Sequence, residues 1–220
     1  MTAGSDATCT AGGRFEGVLF DLLTGLLDSW SLWDSVAGST ATGRAWRREY
    51  LALTYAAGSY RPYETLVAEA AQHQGLPARV APELVARWDE LEPWPEVPEV
   101  LRALGGSAVM GVVTNCSEEL GHRAAARVGA RFDTVVTAES AGAYKPRPEP
   151  YTRALTQLGL PAERVLFVAG SHYDIQGATG VGMSVWWHNR IGMDLPAGPR
   201  PVAQHDSLRS LPRYLAPNTT

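Results

Sequence analysis

Four short segments of this 220-residue chain hold residue types that can do chemistry. FDLLTGLLD contains Asp21, VVTNCS contains Thr114 and Asn115, YKPRPEPY contains Lys145, and VAGSHYDIQGA contains Ser171 and Asp174. Each follows an apolar run or sits in a loop. A carboxylate that ends an apolar strand is held near reacting groups and can act as a nucleophile. A lysine beside it would keep it ionised and offset developing charge. A second carboxylate could orient that lysine or activate water.

The elements that would position these residues have a clear texture. Apolar runs at 15–20, 108–113, 134–137, 164–168 and 183–187 have the length of strands buried on both faces. Helical patterns at 118–128, 150–158 and 175–181 lie between them. The alternation predicts an α/β fold, a Rossmann-like parallel sheet with right-handed crossovers. Ligands of such sheets bind at the edge where the strands end, and there the polar residues collect. Residues 29–92 lack such runs and read as helical, with Trp46, Tyr50, Leu53 and Tyr55 at helical spacing and further helices at 65–72 and 82–91. Pro93, Pro95 and Pro98 punctuate the return. The expectation is a core of residues 14–28 and 93–213, an inserted all-helical cap of 29–92, and loose tails at 1–13 and 214–220.

Taken together, the four motifs resemble those of the haloacid dehalogenase superfamily of aspartate-nucleophile hydrolases, and within it the 2-haloacid dehalogenases (type II). The resemblance runs from residue 15 to about 214. AWRREYL is similar to the family's first cap helix, where a tryptophan precedes a substrate-facing arginine, here Trp46 and Arg47. EPWPEVPEVL resembles the return from cap to core, YKPRPEPY keeps a tyrosine six residues after the lysine (Tyr151), and WWHNRIGM resembles an asparagine–arginine turn. The resemblance implies that Asp21 displaces halide from the carbon beside a carboxylate, inverting it and forming an ester that water hydrolyses. It implies Arg47 and Asn115 as the halide cradle and Thr114 as a substrate-carboxylate ligand. Lys145 and Asp174 would hold the charge network and position water, with Ser171 in the catalytic set. Leu23, Thr24, Leu51, Tyr151, His172 and Tyr173 complete the substrate- or halide-binding set. No cofactor or metal is required, the partner is a small 2-haloacid, and a homodimer through the cap is an expectation.

Some positions depart from the family's pattern. Phosphatases of the superfamily carry a second aspartate two residues after the nucleophile, which protonates the leaving alkoxide. Leu23 stands there and cannot donate a proton, which a halide does not need. Magnesium is therefore not expected, although Asp21, Asp174, a carbonyl and waters could form an octahedral set. The dehalogenase first motif reads tyrosine, glycine, threonine where this chain has Leu23, Thr24 and Gly25. The fourth motif reads serine, serine, asparagine where this chain has Ala169, Gly170 and Ser171, followed by His172 and Tyr173. The alternatives are a magnesium-dependent phosphatase or phosphonate hydrolase, and a non-catalytic binding protein on the same scaffold.

Plainer readings stand beside these. Asp21 and Asp174 could cap helices. Lys145 could be a solvated loop charge, and Arg47, with Arg44 and Arg48, a solvated helix face. His172 is either a general base or a packing residue. His73, His122, His188 and His205 read as structural or solvent-facing. Cys116 reads as a buried small residue rather than a reactive thiol. Tyr50, Tyr55, Tyr60 and Tyr63 read as cap core, with one or two free to wall a pocket. No dinucleotide fingerprint, phosphate loop or serine elbow is present.

Composition agrees with a globular domain: 45% of residues are apolar and 19% charged. The net charge of −4 offers no basic excess for nucleic acid or an anionic membrane. No apolar run reaches the roughly 18 residues of a membrane span, and the polar start does not read as a secretory signal. The two cysteines, Cys9 and Cys116, cannot build a disulfide framework. A cytoplasmic setting is the expectation.

Overall fold

The computed structural model describes residues 15–216. Cys9 and the expected tail segments 1–13 and 217–220 lie outside the described residues. Six parallel strands, β1 (Gly17–Asp21), β2 (Val109–Thr114), β3 (Thr134–Thr137), β4 (Val165–Ala169), β5 (Ser184–His188) and β6 (Ala203–His205), form one sheet in the order β3-β2-β1-β4-β5-β6. The first strand is thus central, with its neighbours reached by crossovers in opposite directions. That is the switch point of a parallel sheet, where the strand ends diverge and leave a crevice.

Asp21 pairs in register with Val113, and Phe20 with Val168. The carboxyl ends of β1, β2 and β4 therefore bring Asp21, Thr114 and the Gly170–Ser171 loop to one edge. Both sheet faces are covered. Val18, Phe20, Val112 and Val168 enter one apolar cluster, and Leu19, Val113, Phe167 and Trp187 the other. Continuous burial on both faces explains why these strands are unbroken apolar runs.

Between β1 and β2 the chain forms α1 (Ser29–Ala37), α2 (Thr40–Ala56), α3 (Tyr63–His73), α4 (Val80–Ala86) and α5 (Val97–Leu104). Asp28 caps α1 by accepting from the Ser31 amide at 3.1 Å, and Ser39 caps α2 by accepting from Thr42 at 3.1 Å. Trp46 and Tyr50, read at helical spacing, join a buried cluster of tilted and edge-on rings: Trp33 lies 4.5 Å from Trp46 and 5.6 Å from Tyr50, and Tyr50 lies 5.3 Å from Tyr63. Each such side chain contributes roughly 2–3 kcal/mol by leaving water. Trp46 also donates through Nε1 to the Val67 carbonyl at 2.9 Å, which fixes α2 on α3. The next residue, Arg47, is thereby turned away from α3. The helices share one continuous apolar cluster with a face of the sheet.

The rest of the chain supplies α6 (Glu118–Arg127), α7 (Ala138–Ala141), α8 (Pro148–Leu158), α9 (Tyr173–Gly180) and α10 (Leu211–Leu215). Three elements depart from the sequence reading. Pro98 sits in the first turn of α5 instead of merely breaking the chain, because a proline there has no hydrogen bond to lose. β6 has no apolar run, being a three-residue edge strand with two exposed positions. Tyr214 and Leu215, expected in the C-terminal tail, belong to α10 and pack against the core. Among the described residues, no helix is long and apolar enough to cross a membrane.

Candidate active site

Asp21 ends β1 and opens a five-residue π-turn, Leu22–Leu26. Its Oδ2 accepts from the Thr24 amide at 2.9 Å, the Thr24 hydroxyl at 2.6 Å and the Gly25 amide at 2.9 Å. Its Oδ1 meets Lys145 Nζ at 2.7 Å. Oδ2 thus caps the turn, as the plainer reading of Asp21 expects, while Oδ1 faces the lysine. The transposed Thr24–Gly25 pair still serves the carboxylate, because the π-turn carries both amides back to the same oxygen.

Lys145 Nζ also lies 3.1 Å from Asp174 Oδ1. Tyr151 donates its hydroxyl to that same oxygen at 2.8 Å. The lysine is aimed by Asn115, whose Oδ1 accepts from the Lys145 amide at 2.8 Å and whose Nδ2 donates to the Lys145 carbonyl at 3.1 Å. Asn115 thus clamps the lysine's main chain as well as facing the cavity. That role is invisible in the sequence.

Burial sets the electrostatics. Asp21 and Arg47 are 7% exposed, and Lys145 and Asp174 4%. Each desolvated charge costs several kcal/mol unless partnered. Burial pushes the Asp21 pKa up, but the Lys145 charge and the hydrogen bonds from Lys145 and Thr24 outweigh it, leaving it below the ordinary aspartate value. Burial dominates at Asp174 and raises its pKa to about 6 despite Lys145. Burial also pulls Lys145 down, but the two carboxylates more than compensate and raise it. Two carboxylates in one cluster are thus pushed apart in pKa.

Arg47 stands apart. Among the described residues no carboxylate lies within ion-pair distance of it. Its guanidinium rests 4.3 Å over the Trp30 ring and donates to Ser29 Oγ at 2.7 Å. A buried guanidinium held by aromatic rings and one hydroxyl keeps donors free to meet an anion.

These groups share a cavity of about 50 Å³. A cavity needs only about 10–15 Å³ of such volume per water, so this one takes a few small groups. Asp21, Leu23, Thr24, Arg47, Leu51 and Thr114 line it. So do Asn115, Lys145, Ser171, Tyr173 and Asp174. Tyr151 does not; it stands behind Asp174. His172 is not at the cavity either. Its ring packs 4.0 Å from Tyr173 and 6.4 Å from Trp187, and burial lowers its pKa. The packing reading therefore replaces the substrate-binding expectation for His172. Cys116 is fully buried and burial pushes its thiol up to about 12, as suits a core residue.

Sequence reasoning missed Trp30 and Met193, which also line the cavity. Met193 is held there by Asn189, which accepts from its amide at 2.7 Å and donates to its carbonyl at 2.8 Å. The asparagine–arginine turn was the available signal. Tyr50 and Tyr55 wall the cavity too, Tyr55 lying 5.2 Å from Tyr173.

Two glycines permit the geometry by close approach. A Cβ on Gly170 would overlap the Gly25 nitrogen and Thr24 Oγ1, two of the donors that hold Asp21. A Cβ on Gly177 would stand 2.6 Å from the Tyr151 ring and the Pro146 carbonyl. Gly170→Ala is expected to cost about 1–3 kcal/mol and to loosen the Asp21 donors. A thermal melt unchanged from wild type would contradict this.

Around Asp21 and Asp174 the charge between the two carboxylates is supplied by an ammonium ion. Lys145 Nζ bridges the two carboxylates. Among the described residues, no group of three or more His, Cys, Asp or Glu side chains could hold a metal.

Residues 15–182 match the family model described as haloacid dehalogenase-like hydrolase. Haloacetate dehalogenase H-2 of Moraxella sp. (strain B) is 29% identical over 196 residues, 81% of this chain and 88% of that protein. Pyrimidine 5'-nucleotidase YjjG of Escherichia coli (strain K12) is 33% identical over 127 residues, 56% of each chain. Among solved structures, the L-2-haloacid dehalogenase RSc1362 superposes with a TM-score of 0.82 at 25% identity, covering 92% of this chain and 99% of its own.

Proposed function

Because the chain belongs to the haloacid dehalogenase-like hydrolases, we propose that it hydrolyses the carbon–halogen bond of short 2-haloacids through an ester formed on Asp21. The supporting observation is one small cavity holding both a carboxylate of depressed pKa and a buried guanidinium that has no carboxylate partner among the described residues. Asp21 Oδ1 attacks the halogen-bearing carbon from the rear. The carbon–halogen bond breaks, and the halide leaves with the bonding pair towards Arg47, with Asn115 beside it. No proton is needed at this step, so Leu23 is no obstacle. An alkoxide leaving group would need one, which argues against phosphate esters.

Water then attacks Asp21 Cγ, and the electron pair moves onto Oδ2. Thr24 Oγ1 and the two amides stabilise the charge there. Asp174, ionised above about pH 6, takes the water's proton and returns it to the departing oxygen. The Cγ–Oδ1 bond breaks, the 2-hydroxyacid leaves with Oδ1, and the water's oxygen stays on Asp21. The mechanism routes no step through a metal.

The test is halide release from chloroacetate and 2-chloropropionate, with and without chelator. Release that persists in chelator supports the proposal. Magnesium-dependent hydrolysis of phosphate esters, without halide release, overturns it.

A pH dependence follows from Asp174. Turnover should fall as pH drops through about 6. Tyr151→Phe removes a hydrogen bond that favours the ionised form, so the acid limb of kcat/KM should move upward. A limb that stays in place or moves down would refute the assignment of Asp174 as base.

A further inference from the structure

The two amides that hold Asp21 Oδ2 are themselves held from behind, and the holders are not cavity groups of the proposed reaction. Ser29, fully buried at the start of α1, donates to the Leu23 carbonyl at 2.6 Å. That carbonyl and the Thr24 amide belong to one peptide group, and the Thr24 amide donates to Oδ2. The hydrogen-bond direction is set by chemistry. Arg47 can only donate, and it donates to Ser29 Oγ at 2.7 Å, so the single serine proton is left for Leu23. In parallel, Trp94 Nε1 donates to the Thr24 carbonyl at 3.1 Å. That carbonyl shares a peptide group with the Gly25 amide, the second donor to Oδ2.

Donors placed on a carbonyl polarise its peptide and strengthen the N–H on the other side. We infer that Ser29 and Trp94 are positioning residues, each polarising one peptide of the pocket for Asp21 Oδ2, with Ser29 linking the Arg47 anion site to the nucleophile. One chain runs Arg47, Ser29, peptide 23–24, Asp21. The other runs Trp94, peptide 24–25, Asp21. This deepens the proposed mechanism and rests on it only for the kinetic consequence: Oδ2 carries the developing charge during ester hydrolysis but not during halide displacement.

The experiment has two arms. In the unliganded protein, the amide proton shifts of Thr24 and Gly25 are compared by NMR in wild type, Ser29→Ala, Ser29→Cys and Trp94→Phe. Ser29→Ala should move the Thr24 amide upfield and leave Gly25 in place. Trp94→Phe should do the reverse, and Ser29→Cys, a weaker donor, should fall between wild type and Ser29→Ala. Both amides moving together in either variant, or neither moving, overturns the inference, because a merely structural role has no such crossed pattern. In the second arm, single turnovers of 2-chloropropionate are followed. Trp94→Phe, which leaves the Ser29 partner of Arg47 in place, should slow ester hydrolysis about tenfold while halide release keeps its rate, so the adduct accumulates. Equal slowing of both steps would overturn the kinetic role. Absence of any halide release in wild type would instead remove the dehalogenase reading, and the amide pattern would still decide the relay.

Discussion

Replacing Asp21 by Asn should abolish turnover, lowering it by at least about 10⁴-fold, while leaving anion binding at Arg47 intact. The amide cannot attack carbon, and no other carboxylate is placed to substitute, since Asp174 is engaged with Tyr151 and Lys145. The change also has a structural cost. Oδ1 faces an ammonium and Oδ2 three donors, so the new NH₂ group must meet donors on one side. An unmatched buried pair of this kind costs about 1–3 kcal/mol. Halide release and circular dichroism together separate the two effects: activity must vanish in a protein that still melts cooperatively. Residual turnover within tenfold of wild type would contradict the role of Asp21.

The second large effect is expected for Lys145→Met. The variant keeps the stem's bulk and removes the charge between two buried carboxylates. Breaking a buried pair this way typically costs 3–5 kcal/mol, and turnover should fall about a thousand-fold. The pH dependence gives the sharper signature. In wild type the folded Asp21 pKa lies below its unfolded value. Its stabilising contribution is therefore present above the unfolded pKa and lost as pH falls through the folded one. Asp174, raised to about 6, has the opposite slope: its contribution is present below the unfolded pKa and lost as pH rises through about 6. Without Lys145 the Asp21 pKa rises towards that side, because only the Thr24 hydrogen bonds then oppose its burial. The stability gap between wild type and variant should thus be widest near neutral pH and narrow towards pH 4. A gap that is constant with pH would refute the proposed charge network.

Much of this architecture could be read before any coordinates. Parallel strands buried on both faces must be apolar throughout, so β1, β2 and β4 stood out, and the polar residues after them marked the sheet edge. The Trp46–Arg47 pair was visible only through the family resemblance of AWRREYL, since an arginine-rich helix by itself reads as a solvated face. Other parts left no pattern. Asn115 acts on the main chain of Lys145, and Ser29 and Trp94 act on carbonyls. Hydrogen bonds to backbone require no particular residue on the other side. β6 was missed because an edge strand needs no apolar run, and His172 was misplaced because α9 begins at Tyr173 and leaves the imidazole packed between Tyr173 and Trp187.

The claim everything else depends on is that water attacks the Asp21 carboxyl rather than the substrate carbon. Several turnovers of 2-chloropropionate in H₂¹⁸O, followed by mass spectrometry of the peptide containing Asp21, test this directly. The account predicts heavy oxygen in the Asp21 carboxylate and, in the first turnover, a hydroxyacid whose new oxygen is unlabelled. An unlabelled Asp21 peptide with fully labelled product would contradict it.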